Sequence, residues 1–228
     1  MTPDELAIVL LSLQVSTVAV LTTLPLAFAL AWLLARGRFP GKVLLDALVH
    51  LPLVLPPVVV GWLLLIVFGN NGPAGRLMHD WLGVSVMFRW TGAALAAAVM
   101  ALPLMVRAMR LSIEAVDRQL EAAARTLGAG AWHAFRTVTL PLAFPGLLAG
   151  AVLGFARSIG EFGATITFVS NIPGETRTIP IAIYGALQIP GAEAEVTRLS
   201  ILAVLLSLGA LVVSEALARR AGRGGHVL

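Results

Sequence analysis

Two stretches of this chain bring together residue types able to do chemistry. In the first, Arg157, Ser158, Glu161, Thr165 and Thr167 interrupt a long apolar run. If that run is one helix, Ser158, Glu161 and Thr165 stand at i, i+3 and i+7 and share a face, and Arg157 and Glu161 form an i, i+4 pair. Ionisable groups at membrane depth cost roughly 2.5–3.5 kcal/mol each on insertion scales, so they normally face a cavity or one another. Gly160 and Gly163, on either side of Glu161, would let neighbouring helices pack closely. The face is a candidate lining or gate for a translocation pathway. The competing reading is structural: an internal Arg157–Glu161 pair, or a carboxylate capping a neighbouring helix. In the second stretch, Glu114, Asp117 and Glu121 recur at i, i+3 and i+7. That spacing would suit acid–base work but more simply marks a solvated helix face.

Other chemistries drop out. The phosphate cradle G-x-x-x-x-G-K-[ST] does not occur. Its nearest approach, Gly37 to Val43, has the wrong spacing and no hydroxyl after Lys42. His50, His79, His133 and His226 are scattered without metal-like spacing, and nothing resembles a nucleophile elbow. The chain has no cysteine, which excludes disulfides and thiolate chemistry. No catalytic residue, metal or cofactor is expected in this chain.

The elements that must position these residues are membrane helices. Of 228 residues, 58% are hydrophobic and only 12% charged, against about 25% charged in average proteins. Several apolar segments exceed the roughly 20 residues that a spanning helix needs. The expected fold is all-α, a single polytopic domain over 1–228 with about five spans. These run from about Leu6 to Ala35, Val43 to Phe68, Thr91 to Met109, Leu142 to Val169 and Val196 to Ala218. The first is read as a retained span, because the acidic start MTPDE and the lack of a small-residue cleavage site do not suit a signal peptide. Residues 70–90 are too polar for a sixth crossing, and Trp81 and Trp90 suit a membrane interface. Pro56 and Pro57 suit a helix bent around a pathway, since a proline inside a span frees a carbonyl that protein or water must satisfy.

Charge bias orients the spans. Arg36, Arg38, Lys42, Arg107, Arg110, Arg118, Arg125, Arg136, Arg219, Arg220 and Arg223 fall on one side of a five-span arrangement. The positive-inside rule puts that side in the cytoplasm and the N-terminus outside. The net charge of +4 is thus a topology signal, and no nucleic-acid partner is implied. The loop of about 112–141 then becomes cytoplasmic. Within it Leu120, Ala123, Ala124, Leu127, Ala131 and Phe135 follow helical spacing, and Gly128 and Gly130 divide it into two short pieces ahead of Pro141. A short, exposed helix with a small-residue face suits docking into a groove on a soluble partner.

That loop resembles the cytoplasmic signature of permease subunits of bacterial ABC importers: Glu-Ala-Ala, three residues, Gly, nine residues, an aliphatic residue, any residue, Leu-Pro. Gly128 anchors the count, which places Ala-Ala on Ala123-Ala124 and the end on Val138, Leu140 and Pro141. Ala122 stands where the glutamate belongs, and Glu121 lies one residue earlier, turned by about 100° on a helix. HLPLVLPPVVVGWLLL at 50–65, LGAGAW at 127–132 and ARSIGEFGATITFVSNIPGETRTIP at 156–180 look like the molybdate transporter permeases, with parts shared by sulfate and tungstate permeases.

The resemblance implies a subunit of the bacterial cytoplasmic (inner) membrane that works as a two-fold dimer. Two ATPase subunits would carry ATP and magnesium, and an extracytoplasmic oxyanion-binding protein would deliver substrate. Glu121, Ala122, Ala123, Ala124, Arg125, Thr126, Leu127, Gly128 and Pro141 become the expected ATPase-coupling residues. For an oxyanion, Arg157, Ser158, Thr165 and Thr167 are better donors than the Glu161 carboxylate. The loop from Ser170 to Glu195 would either receive the binding protein or form a re-entrant cap. A secondary transporter moving protons through Arg157 and Glu161 is the alternative from another class. Secondary transporters are commonly built from repeats, and no repeat is visible here.

Overall fold

The computed structural model describes residues 2–83 and 85–223. His226 lies outside them, as do the side chains of Arg219, Arg220 and Arg223. Among the described residues every regular element is helical: α1 (Pro3–Arg36), α2 (Lys42–Val54), α3 (Pro57–Phe68), α4 (Pro73–Leu82), α5 (Trp90–Ala115), α6 (Arg118–Thr126), α7 (Ala131–Ala134), α8 (Leu140–Ile159), α9 (Gly163–Val169), α10 (Ile179–Ala186) and α11 (Glu193–Arg223). A π-helical turn, Phe135–Thr139, joins α7 to α8 without a break.

Helix α1 is one continuous rod of 34 residues that accommodates Pro25. Its start is fixed by a capping box, in which the Glu5 amide donates to Thr2 Oγ1 at 3.2 Å and the Thr2 amide donates to Glu5 Oε2 at 2.8 Å. The expected second span is broken. Leu55 is extended, as a residue before proline prefers, and α3 restarts at Pro57 after a 115° bend. Among the described residues four helical stretches are long and apolar enough to cross a membrane singly, and the bent α2–α3 pair, counted as one broken span, makes a fifth. The expectation of about five spans agrees with these four to five candidates. The turn at Asn70–Pro73 leads into α4, a ten-residue helix in the region too polar for a sixth crossing.

Helix α5 is the centre of the bundle. Ala93, Ala94, Ala96, Ala97 and Ala101 are buried, and these small residues let α1, α8 and α9 approach its backbone. Helix α8 runs antiparallel to it, with Gly146, Gly150 and Gly154 set against Ser112, Met109 and Met105. One core cluster, around Ala96, Leu64 and Phe168, fills the half containing α3 and α9. A second, around Leu34, Met105, Met109 and Ile113, fills the half where α1 and α5 end. Helix α11 rests on α8 and α10 and leaves Val204, Leu205, Leu208 and Val212 exposed, as suits a lipid-facing helix.

Two expectations need correction. The sequence predicts a fourth span reaching Val169, but α8 stops at Ile159 and the chain restarts as α9. Residues 170–195 are not a plain loop, because they contain the largely buried α10. The Ile179 amide donates to Ser12 Oγ on α1 at 2.8 Å. Thr176 donates to the Ser170 carbonyl and accepts from the Ile172 amide. The segment is thus a folded cap over the end where α1 begins.

A Cβ added at Gly146 would stand 2.1 Å from Ser112 Cβ, whereas one at Gly209 would meet nothing within 4 Å. Overpacking costs typically 1–3 kcal/mol. Gly146→Leu is expected to lower the thermal unfolding midpoint in detergent clearly, and Gly209→Leu to leave it nearly unchanged. Equal midpoints would contradict the close α5–α8 contact.

Candidate functional site: a coupling surface and a broken span

The loop between α5 and α8 places the expected coupling residues in the open. Asp117 caps α6, accepting from the Gln119 amide at 2.8 Å. No residue of α6 is buried. Ala122, Ala123, Arg125, Thr126 and Gly128 are exposed, as is Pro141 in the first turn of α8, and Leu127 stands out with 89% of its surface accessible. The helix ends in a Schellman turn. The Ala129 amide donates to the Ala124 carbonyl and the Gly128 amide to the Arg125 carbonyl, each at 3.1 Å, with Gly128 at φ +94°. Since a Cβ there would meet nothing within 4 Å, glycine answers the left-handed backbone and not a close contact. Beyond it, Ala124, Leu127, Gly128, Gly130, His133 and Thr137 line an open depression of about 550 Å³.

The two short helical pieces expected on either side of the glycines are α6 and α7. The second is no separate knob, however, because α7, the π turn and α8 run on as one helical stretch from Ala131 to Ile159. The reading of Glu114, Asp117 and Glu121 as one solvated face also fails. Helix α5 ends at Ala115, so the three never share a helix. Glu114 pairs with Arg110 at 2.8 Å, Asp117 caps α6, and Glu121 turns inward. Its Oε1 accepts from Arg36 Nη2 at 3.0 Å and from Thr139 Oγ1 at 2.5 Å. Around this contact Trp32 meets Phe135 edge-on at 4.9 Å between centroids, and Trp132 stacks on Phe135 at 5.2 Å. The contact of Arg36 and Thr139 with Glu121 and the packing of these rings are not part of the sequence reading, which uses Arg36 only for orientation and Phe135 only for helical spacing. The signal was there, because Phe28, Trp32 and Arg36 recur every four residues along one face of α1.

The second candidate stretch is rearranged. Ser158 ends up in the last turn of α8, Glu161 in the break, and Thr165 and Thr167 on α9, so the shared helical face does not form. What holds is the ion pair. Arg157 Nη1 lies 2.6 Å from Glu161 Oε2, while Glu161 Oε1 accepts from the Ala164 amide at 2.8 Å, one of the otherwise orphaned donors of α9. Both structural readings of Glu161 are thus realised together, in a residue only 3% exposed. Ser158 and Thr165 are buried, and the Ser158 hydroxyl has no hydrogen-bond partner. Thr167 Oγ1 donates back to the Gly163 carbonyl, and its Cβ lies where Gly61 of α3 makes room for α9.

A third cluster sits near the ends of α2 and α5. Arg110 contacts Asp46 at 3.0 Å as well as Glu114, and His50 Nδ1 lies 3.2 Å from Asp46. Together with the exposed Arg107 these residues line a cavity of about 510 Å³.

An all-helical, multi-pass bundle that displays a capped helix on a short loop is built like the membrane half of a transporter, and comparison with known proteins gives the class. The chain belongs to the family of binding-protein-dependent transport system inner membrane components, whose model matches residues 19–223. More particularly, it is 60% identical over 227 residues to the "Molybdenum transport system permease protein ModB" of Escherichia coli (strain K12), spanning 98% of this chain and 99% of the relative. The "Sulfate transport system permease protein CysW" of the same strain is 36% identical over 181 residues, covering 79% of this chain and 62% of its own. Among solved structures, a bacterial alginate ABC transporter in complex with an alginate-bound periplasmic protein superposes with a TM-score of 0.75, at 18% identity. That match spans 96% of this chain and 80% of the other and supports the fold. The protein is a multi-pass component of the inner membrane.

Removing one partner of a buried ion pair costs about 3–5 kcal/mol. Glu161→Ala should therefore lower the unfolding midpoint strongly, and Glu161→Gln, which keeps an acceptor for the Ala164 amide, by less. Uptake lost in an Ala variant that melts like the parent would instead place the carboxylate in the pathway. At Gly128 the left-handed backbone costs an L-residue about 1–2 kcal/mol. Gly128→Ala should speed amide hydrogen exchange at the end of α6 and leave α5 unchanged.

Proposed function

We propose that this chain is the permease subunit of an ATP-driven importer that carries molybdate inward across the cytoplasmic membrane. The observation that carries the reading is the exposed, capped α6 with its small-residue face, in a chain whose 60%-identical relative is a molybdenum transport permease. Uphill import needs an energy source, and the sequence holds no phosphate-binding loop. Energy therefore arrives through α6 from a partner ATPase that binds ATP and magnesium. Two copies of this chain around a two-fold axis present two such helices to two ATPase subunits. Closing the ATPase pair draws the helices together and tips the bundle between inward- and outward-facing states.

Selective capture belongs to an extracytoplasmic oxyanion-binding protein, because a tight dianion site in the permease would oppose release. The folded cap of 170–195, at the end predicted to lie outside, is the surface offered to that protein. Arg157 and Glu161 serve as the pin of the α8–α9 joint. With both carboxylate oxygens engaged, the pair gives no support to a proton-relay transporter.

Uptake of labelled molybdate in cells carrying the full system tests the substrate. Excess tungstate is expected to compete strongly and excess sulfate weakly. Sulfate outcompeting molybdate would move this chain to the sulfate permeases.

A further inference from the structure

We propose that Arg36, Glu121 and Thr139 form a latch that makes α6 move as one body with α1 and α8. The latch rests on the coupling role of α6 proposed above and says how a pull on that helix reaches the spans. By chain connection alone α6 is loosely held. Residues Val116 and Asp117 separate it from α5, and the Leu127–Gly130 segment with its two glycines separates it from α7. A helix on such tethers would swing when pulled. Glu121 removes that freedom by taking hydrogen bonds from the last residue of α1 and from Thr139, at the end of the π turn that runs on into α8, at the same oxygen. Arg36 also reaches the Val116 carbonyl at 3.4 Å, so one guanidinium touches both the entry to α6 and its first turn.

The surroundings hold this geometry in place. The Arg36 and Glu121 side chains are 13% and 27% exposed and Thr139 is 0%, so solvent screens the contact less than it would a surface pair. Buried positions along the α7–α8 rod run Ala134, Thr139, Ala143, Gly146, Gly150 and Gly154. The first step is five residues and the rest are three or four, so the π turn inserts one residue and keeps both Ala134 and Thr139 on the inner line. The Trp32–Phe135–Trp132 stack wedges that turn against α1. The glutamate displaced by one position thus faces inward to the spans, while Ala122, Ala123 and Leu127 stay open for the partner.

The test uses the assembled transporter, this chain with its ATPase and binding protein, reconstituted in liposomes, with molybdate imported per ATP hydrolysed as the readout. Coupling free energies between sites typically correspond to about 5–150-fold. Arg36→Glu is expected to lower the ratio about tenfold while the ATPase still co-purifies, and the swap Arg36→Glu with Glu121→Arg to restore it to within about twofold. Thr139→Val, which exchanges the hydroxyl for a methyl of similar size and cannot misfold for reasons of charge, should lower it about twofold. An unchanged ratio in Arg36→Glu and Thr139→Val would overturn the latch. So would loss of the ATPase from Glu121→Gln alone, since that would make Glu121 a direct partner contact. If the parent chain itself captures no ATPase, the coupling role fails before the latch is reached.

Discussion

A backbone amide or carbonyl inside a bilayer has no water to turn to, so each break in a spanning helix must be satisfied by the protein itself. This chain breaks its helices repeatedly and answers the breaks with local devices. At the α2–α3 bend, proline at N1 removes a donor that would have had no partner. Where α8 gives way to α9, Glu161 accepts from the Ala164 amide and is neutralised by Arg157. At the start of α10, Ser12 reaches across from α1 to accept from the Ile179 amide, and its own hydroxyl donates to the Ile8 carbonyl. The intramembrane polar residues are in large part the consequence of interrupting helices, before any question of substrate arises.

The same constraint sorts the charges. At the end where α1 begins, Glu5 caps its own helix and pairs with Arg198 of α11 at 2.7 Å. At the other end Arg36 ties α1 to Glu121 of α6, and Arg110, braced by Glu114 on its own helix, ties α5 to Asp46 of α2. Between them the bundle is closed by alanine, glycine and methionine around α5, where small side chains let backbones approach.

Much of this was legible in the sequence. Hydropathy gave the long apolar helices, and the two glycines at 128 and 130 marked the exposed break between α6 and α7. What escaped has a common cause. Periodicity assumes that a helix continues, so it ran the fourth span through Gly160 and built a face from Ser158, Glu161 and Thr165 that the break dismantles. It likewise carried Glu114 and Glu121 onto one surface across the gap at Val116 and Asp117. The buried half of the cap at 170–195 was hidden because α10, only eight residues long, is too short to register as a span. For contacts between distant segments, local spacing marks at most one side: Phe28, Trp32 and Arg36 share a face of α1, but nothing in their spacing names Glu121 as the partner.

The displaced glutamate shows how far one residue of register can carry. A carboxylate at position 122 would project about 100° away from that of Glu121, on a part of α6 that is exposed. Placed one residue earlier, it lies over the junction of α1 with the π turn, where a lone carboxylate would be costly and Arg36 makes it favourable. The π turn is the matching adjustment on the other side, since without its extra residue Thr139 would rotate off the inner line. Two one-residue shifts, one in α6 and one ahead of α8, thus meet at a single oxygen atom. In this chain α6 is held to α1 and the π turn by a carboxylate and leaves alanine and leucine side chains exposed.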